Sequence, residues 1–158
     1  MYIISKSIEI AASPATVREK FLDFPSIPSY TPNGFVGSIS PAPDKAPSAL
    51  VPGDKLTCVM GVNKMKFSPV VLENSPAVFS WRGSLPAGIF TGEHIFRFEE
   101  VEGGIKTRLV HEERFTGLLA GALMGRGWVS GWVGMREETE KGFEGFNEDF
   151  KAWVEGSE

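Results

Sequence analysis

The sequence predicts an α+β fold in which an antiparallel sheet of six or seven strands packs against a long C-terminal helix. Through most of the chain, short segments alternate between apolar and polar residues and are separated by turn residues, which is typical of strands in an antiparallel meander. Near the C-terminus the apolar residues instead recur every three or four positions, which is typical of an amphipathic helix. Such a helix needs a broad apolar surface, and a sheet with one apolar face provides it.

The N-terminal segments predict a strand followed by two short helices. Tyr2–Ile10 alternates in polarity and is expected to be the first strand. Ser13 then caps a short helix that has Pro14 at its first position. In residues 25–34 the prolines exclude a long helix but allow one or two short helical turns.

Strands in the middle of the chain are predicted at Phe35–Ile39, Lys55–Met60, Lys64–Leu72 and Val78–Ser84. Residues 41–54 are rich in proline and polar residues and are expected to form an exposed loop. Because proline cannot donate a ladder hydrogen bond, Pro69 indicates an edge position or a bulge.

A β-hairpin is predicted over Gly92–Phe115, GEHIFRFEEVEGGIKTRLVHEERF. Gly103 and Gly104 tolerate the positive φ angles that a two-residue type I′ turn requires. A turn centred on them pairs, on one face, Phe98 with Leu109, Phe96 with His111, His94 with Glu113 and Gly92 with Phe115, and on the other face Glu99 with Arg108 and Glu93 with Arg114. An apolar set opposite a charged set is expected of a sheet with one face in solvent.

Three polar residues, His94, His111 and Glu113, fall on the apolar face of this hairpin. Opposed Cβ atoms lie about 5 Å apart and diagonal ones about 7 Å apart, so His94 reaches Glu113 and the two histidines converge. An unsatisfied polar group in an apolar interior costs a few kcal/mol. The trio therefore either satisfies its own hydrogen bonds or borders a cavity containing water or a ligand.

The last predicted element is a helix over Met135–Val154. Its apolar stripe comprises Met135, Phe143, Phe146, Phe150, Trp153 and Val154, with Thr139 filling the gap. Gly142 and Gly145 weaken this helix by roughly 1 kcal/mol each, which packing against the sheet must offset.

Composition and charge favour one soluble domain over residues 1–158. The chain has 158 residues, 42% of them hydrophobic, so a single domain can bury roughly 70% of the surface that the unfolded chain exposes. The net charge is −4 and the basic residues are scattered, which gives no nucleic-acid footprint and no sign of stable membrane insertion. Cys58 is the only cysteine, which suits a reducing compartment. We therefore expect a cytoplasmic protein without a signal peptide.

The order of elements resembles the helix-grip fold of the START and pollen-allergen superfamily, also called SRPBCC, and most closely its polyketide cyclase/dehydrase-like branch. The resemblance is carried by PSYTPN (28–33), FSPVVLENSP (67–76), FSWRGSLP (79–86), GEHIFRF (92–98), HEERFTGLL (111–119) and GFEGFN (142–147). It implies a sheet curved around the C-terminal helix, with an elongated cavity between them.

This resemblance and the polar trio lead to a binding hypothesis, in which the cavity encloses a polyketide, isoprenoid or lipid-like metabolite. Aromatic and aliphatic residues would line the cavity, namely Phe79, Trp81, Phe96, Phe98, Leu109, Phe115, Phe143 and Phe146. His94, His111 and Glu113 would then orient the oxygen atoms of the ligand.

Three alternatives remain open. The first is an acid–base enzyme of the polyketide cyclase, dehydratase or isomerase type, with His94 or His111 as general base and Glu113 orienting it. The second is a metal site with two histidines and one carboxylate. The third is a protein-interaction module similar to co-chaperone relatives. Because the sequence has no nucleophile elbow, phosphate loop or zinc-spacing motif, we expect no cofactor and no covalent catalysis.

A glycine-rich segment, GLLAGALMGRGWVSGWVG (117–134), precedes the C-terminal helix. Its apolar residues could form a gate over the cavity, and a loosely packed helix start is the alternative. An exposed apolar cluster of this kind could also support a homodimer.

Overall fold

Eight strands, short helices near the N-terminus and a long C-terminal helix make up the described part of the chain. The computed structural model describes residues 1–61, 63–84, 86–120 and 134–156. In chain order the main elements are β1 (Tyr2–Ile10), α1 (Pro14–Phe21), α2 (Ile27–Tyr30), β2 (Val36–Ser40), β3 (Thr57–Met60), β4 (Met65–Phe67), β5 (Val70–Asn74), β6 (Val78–Ser84), β7 (Thr91–Val101), β8 (Lys106–Thr116) and the C-terminal helix (Met135–Gly156). The predicted α+β class is confirmed.

The strands form two antiparallel sheets. One has five strands in the order β1-β8-β7-β6-β5, and the other has three in the order β2-β3-β4. The hairpin of β7 and β8 lies at the centre of the larger sheet, where Phe96 faces His111 and His94 faces Glu113. The predicted hairpin register is therefore confirmed.

The turn of this hairpin differs from the prediction. Val101 and Lys106 form the last pair, so four residues, Glu102 to Ile105, make the turn instead of two. Positive φ angles occur at Glu102 as well as at Gly103 and Gly104. Lengthening the turn by two residues preserves the alternation of faces, which explains why the register is unaffected.

The predicted strand Lys64–Leu72 is split into β4 and β5. β4 pairs with β3 in the smaller sheet, whereas β5 pairs with β6 in the larger one. Ser68 and Pro69 lie at the break, so Pro69 marks the point at which the chain passes between sheets. This break accounts for the additional strand.

Helix α1 closes one end of the larger sheet. The Ser13 hydroxyl accepts a hydrogen bond from the Thr16 amide at 3.3 Å, so Ser13 is the predicted N-cap. Arg18 donates to Asn74 Oδ1 at 2.7 Å and fixes the helix to the end of β5. The Phe21 ring then packs against Phe96, with ring centroids 4.4 Å apart.

The C-terminal helix packs on the inner face of the larger sheet, mainly over β1. Its buried residues are Thr139, Phe143, Phe146, Asn147, Phe150 and Val154. The predicted stripe is thus largely buried, with one addition, Asn147.

Ion pairs lie on the outer face of the same sheet, most of them between neighbouring strands. Arg108 pairs with Glu99 at 3.5 Å, as the register predicts. Glu93 and Arg114 face each other in the ladder but take other partners: Glu93 pairs with Arg82 at 3.8 Å, and Arg114 with Glu112 at 2.8 Å. Among the described helices, none is long and apolar enough to span a membrane.

Candidate functional site

The two histidines meet edge to edge beneath the C-terminal helix. His94 on β7 and His111 on β8 lie diagonally across the hairpin, and their Nε2 atoms are 2.6 Å apart. Both side chains are buried, with 1% and 0% of their surface exposed. The convergence predicted from the register therefore becomes a direct hydrogen bond.

Glu113 contacts the opposite edge of His94. Its Oε2 lies 3.3 Å from His94 Nδ1, and its side chain is 18% exposed. A Cβ at Gly92, on the neighbouring strand, would lie 2.7 Å from Glu113 Oε1. The absence of a side chain at residue 92 therefore leaves space for the carboxylate.

Asn147 of the C-terminal helix completes the group on the other side. Its Oδ1 lies 3.2 Å from His111 Nδ1, and its Nδ2 donates to the backbone carbonyl of Lys6 at 3.4 Å. Sequence reasoning missed this residue. Its position was a usable signal, because Asn147 follows Phe143 by four residues and precedes Phe150 by three, on the buried stripe.

Aromatic rings cover the faces of both imidazoles. His111 stacks on Phe143, with centroids 3.8 Å apart and an interplanar angle of 9°, and Phe96 lies on its other side at 4.4 Å. His94 stacks on Trp81 at 4.8 Å. Because the ring faces are covered and the side chains of His94, His111 and Asn147 are buried, Glu113 is the most accessible member of the group.

The surroundings strongly disfavour a charge on His111. Burial lowers the pKa of His111 well below its ordinary value, and the nearby His94 lowers it further, whereas the hydrogen bond to Asn147 opposes the change. A path of polar contacts thus runs from the partly exposed Glu113 through two buried rings to Asn147. Hydrogen bonds join the two rings and join His111 to Asn147, and Glu113 lies 3.3 Å from His94 Nδ1. Such a path can hold or pass a proton inside an apolar interior.

The buried apolar residues form two clusters, and the predicted ligand-binding residues are divided between them. The larger cluster contains Phe79, Trp81, Phe96, Phe98, Leu109 and Phe146. The smaller cluster comprises Ile4, Phe115, Ala120 and Phe143, with the partly buried Phe35, Phe90 and Met135 packed against it. The polar group lies where the clusters meet, since His94 and His111 contact both Phe96 and Phe143.

The geometry does not suit the metal-site alternative. His94 presents Nδ1 to Glu113 and Nε2 to His111, so the three groups do not point at one position. A shared ion would require all three donors within about 2.3 Å of it. Across the described residues, no cluster of histidine, cysteine and carboxylate side chains has a suitable arrangement.

Two surface depressions lie away from the polar group. One is on the outer face of the sheet, lined by Met1, Arg82, Ser84, Thr91, Glu93, Arg114 and Thr116. The other lies beside α1 and residues 47–48.

The predicted gate falls mostly on residues 121–133, outside the described residues. Leu118 and Leu119, at the start of this segment, are described and are exposed.

Comparison with known proteins gives one family and several structural relatives. The family model described as polyketide cyclase / dehydrase and lipid transport matches residues 1–155. No curated protein is similar enough in sequence to count as a relative.

The solved structures that resemble the chain share its fold at low sequence identity. A START superfamily protein from Mycobacterium smegmatis has a TM-score of 0.66 and 17% identity, with 100% of each chain covered. The Zhui aromatase/cyclase from Streptomyces sp. R1128 has a TM-score of 0.65 and 15% identity, covering 97% of this chain and 93% of that one. A hypothetical protein from Helicobacter pylori has a TM-score of 0.69 and 17% identity, covering 96% and 87%. These relatives establish the helix-grip fold.

Proposed function

Because the chain belongs to the polyketide cyclase / dehydrase and lipid transport family, we propose that it binds a small hydrophobic molecule between the sheet and the C-terminal helix. Polyketides, isoprenoids and lipid-like metabolites have the required chemistry, a mainly apolar body with a few oxygen atoms. The lone buried Cys58 supports a cytoplasmic location for this activity.

The observation that carries this proposal is the position of Glu113 beside the smaller apolar cluster. Glu113 is the partly exposed member of the polar group, and Phe115 of that cluster is two residues further along the same face of β8. Binding pockets are mostly apolar with a few placed polar groups, which is the combination found here. Ile89, Leu118 and Leu119 are exposed apolar side chains near the same end of the sheet, which supports the entry of an apolar molecule at this end.

Binding can be tested with the fluorescent probe anilinonaphthalene sulfonate and two matched variants. Phe115→Ala removes a ring from the smaller cluster, and Phe98→Ala removes an equally buried ring from the larger one. We expect saturable probe binding that Phe115→Ala weakens several-fold and Phe98→Ala leaves within twofold.

Two outcomes would contradict the proposal. Absence of saturable binding by the folded protein would remove the ligand site altogether. A greater loss of probe affinity in Phe98→Ala than in Phe115→Ala would place the site at the larger cluster instead. Tyr30 packs against that cluster, and within the described residues its buried hydroxyl has no hydrogen-bond partner.

Acid–base catalysis on the bound molecule is the second candidate function, and the contact between His94 and Glu113 favours it. The Glu113 carboxylate lies 3.3 Å from one nitrogen of the His94 ring, whose other nitrogen is hydrogen-bonded to His111, so the carboxylate is near enough to act as a proton-transfer partner. Cyclisation followed by dehydration of a poly-β-ketone needs such proton transfers and no cofactor.

This candidate can be tested with an aryl poly-β-ketone substrate, by following loss of water in the product by mass spectrometry. Glu113→Gln should reduce turnover at least a hundredfold, because general acid–base groups contribute roughly that much or more. Glu93→Gln, on the outer face of the sheet, is the matched control and should retain activity. Equal activity of the two variants would exclude Glu113 from the chemistry.

A further inference from the structure

Tyr30 carries a buried hydroxyl that has no hydrogen-bond partner among the described residues. This residue is the last of α2, and its ring packs against the larger apolar cluster. A hydroxyl that leaves water without gaining a partner destabilises the folded protein. Phenylalanine would fill the same space without this cost, so packing alone does not explain a tyrosine at position 30.

Three aromatic residues of the C-terminal helix hold the Tyr30 ring in place. The ring stacks on Trp153, with centroids 4.5 Å apart and an interplanar angle of 17°. It also contacts Phe150 at 5.9 Å and Phe146 at 6.4 Å. The hydroxyl is therefore held in one position, and a donor that is already ordered loses little entropy when a ligand binds to it.

The surroundings keep the hydrogen on this hydroxyl. Burial raises the pKa of Tyr30, and the negative charge of Asp23 raises it further. The neutral hydroxyl can donate one hydrogen bond. Because the charge of Asp23 disfavours a second negative charge nearby, the hydroxyl suits a neutral acceptor, such as a ketone carbonyl or an ether oxygen.

The next residue, Thr31, provides an instructive contrast. Its hydroxyl is also buried without a partner among the described residues. However, Thr31 Oγ1 lies directly against Gly34, in the space where a side chain at residue 34 would begin. The Thr31 hydroxyl therefore packs on its own loop, whereas the Tyr30 ring lies against the C-terminal helix.

We propose that Tyr30 is a second ligand-binding residue, whose hydroxyl donates a hydrogen bond to a neutral oxygen of the molecule bound between the sheet and the C-terminal helix. This inference rests on the proposed function in one respect, the presence of that molecule. Two ring contacts lead from His111 through Phe146 to Tyr30, with centroid distances of 5.5 Å and 6.4 Å. A ligand that contacts both Glu113 and Tyr30 is therefore elongated and carries oxygen atoms toward both ends.

The first test is the stability of the ligand-free Tyr30→Phe variant in urea. Removing an unpaired buried hydroxyl should raise the folding equilibrium constant by a factor of about five or more. The only other tyrosine, Tyr2, is 37% exposed, so the matched control Tyr2→Phe should change this constant by no more than about twofold. A destabilised Tyr30→Phe would show that the hydroxyl has a partner in the ligand-free protein, such as a buried water, and would overturn the proposal.

The second test compares two probes of the same shape, benzophenone and 1,1-diphenylethylene, in which a methylene group replaces the carbonyl oxygen. Equilibrium dialysis gives the affinity of each probe for the wild type, Tyr30→Phe and Thr31→Val. The ratio of ketone to alkene affinity should fall about fivefold in Tyr30→Phe, through loss of one hydrogen bond, and stay unchanged in Thr31→Val. Saturable binding with an unchanged ratio in Tyr30→Phe would refute the role of Tyr30 alone. Failure of both probes to bind the wild type would refute the proposed function and this contact with it.

Discussion

The ring of Phe35 lies directly against the backbone of Gly142. A Cβ at residue 142 would come within 2.8 Å of the Phe35 Cβ and closer still to its ring, which no real structure tolerates without movement. Phe35 also packs edge-on against Phe143, with ring centroids 5.7 Å apart. Glycine at this position thus lets the segment before β2 approach the C-terminal helix.

Alanine substitutions at the two glycines of this helix should therefore have opposite effects. Gly145 has no atom within 4 Å of its Cβ position, so Gly145→Ala should raise the free energy of unfolding by about 1 kcal/mol through helix propensity. Gly142→Ala should lower it by about 1–3 kcal/mol, because overpacking outweighs that gain. Urea denaturation of both variants measures the difference, and a stabilising Gly142→Ala would disprove the close approach.

Acid should destabilise the protein through His111. In the unfolded chain this histidine takes up a proton as the pH falls through about 6.5, whereas in the folded protein burial lowers its pKa well below that value. The unfolded state therefore binds more protons below pH 6.5, and the free energy of unfolding falls as the pH falls from there to the lowered folded-state pKa.

The contribution of this one group amounts to at most about 1.4 kcal/mol per pH unit. His111→Gln removes the titrating ring, so its unfolding free energy should depend less steeply on pH between 6.5 and 5. Denaturation at several pH values gives both slopes. Equal slopes would mean that His111 does not resist protonation in the folded protein.

Gly92 and Gly83, which face each other on β7 and β6, offer a matched test of the Glu113 position. In Gly92→Ala the new Cβ would lie 2.7 Å from Glu113 Oε1 and should push the carboxylate away from His94. We expect altered His94 ring signals in a proton–nitrogen NMR spectrum and only a small loss of unfolding free energy, because the carboxylate is the end of a flexible, partly exposed side chain that can move aside.

Gly83→Ala is the control, because its Cβ would make only an ordinary contact of 3.5 Å with the Phe67 ring. This variant should keep the wild-type ring signals. If both substitutions shift the His94 signals equally, the effect comes from the strand backbone and not from Glu113.

Cys58 should resist thiol reagents in the folded protein. It is buried on β3, and burial raises its pKa to about 12, so very little thiolate is present at pH 8. Dithionitrobenzoate should react with one thiol per chain only after the protein is unfolded in guanidinium. Rapid stoichiometric reaction without denaturant would contradict this burial.

The hairpin shows how far sequence alone can reach. Its pairing follows from the alternation of faces, and that alternation is the same whether the turn has two or four residues. The prediction of a two-residue turn is wrong, because Glu102 adopts a positive φ of 49°. Non-glycine residues seldom adopt such an angle, so nothing in the sequence indicates it. The strand pairing could be predicted because it follows from a pattern over many residues. The turn could not, because its length depends on one backbone angle.

The candidate site was predictable in its location but not in its hydrogen bonds. The register places His94, His111 and Glu113 together, but the ring orientations depend on stacking against Phe143, a contact over a long sequence separation. Asn147 was missed because the predicted apolar stripe was built from apolar residues and Thr139, so this amide was placed on neither face of the helix. Its spacing from Phe143 would have placed it on the buried face.

Because Trp81 stacks on His94, the fluorescence of Trp81 is sensitive to the state of that ring. Protonated imidazole quenches indole emission on contact, and these ring centroids lie 4.8 Å apart. The emission that is lost in a Trp81→Phe variant, obtained by difference from the wild type, therefore reports on the surroundings of the His94 ring. Ligand arrival at the carboxylate behind that ring could then be followed without any added dye.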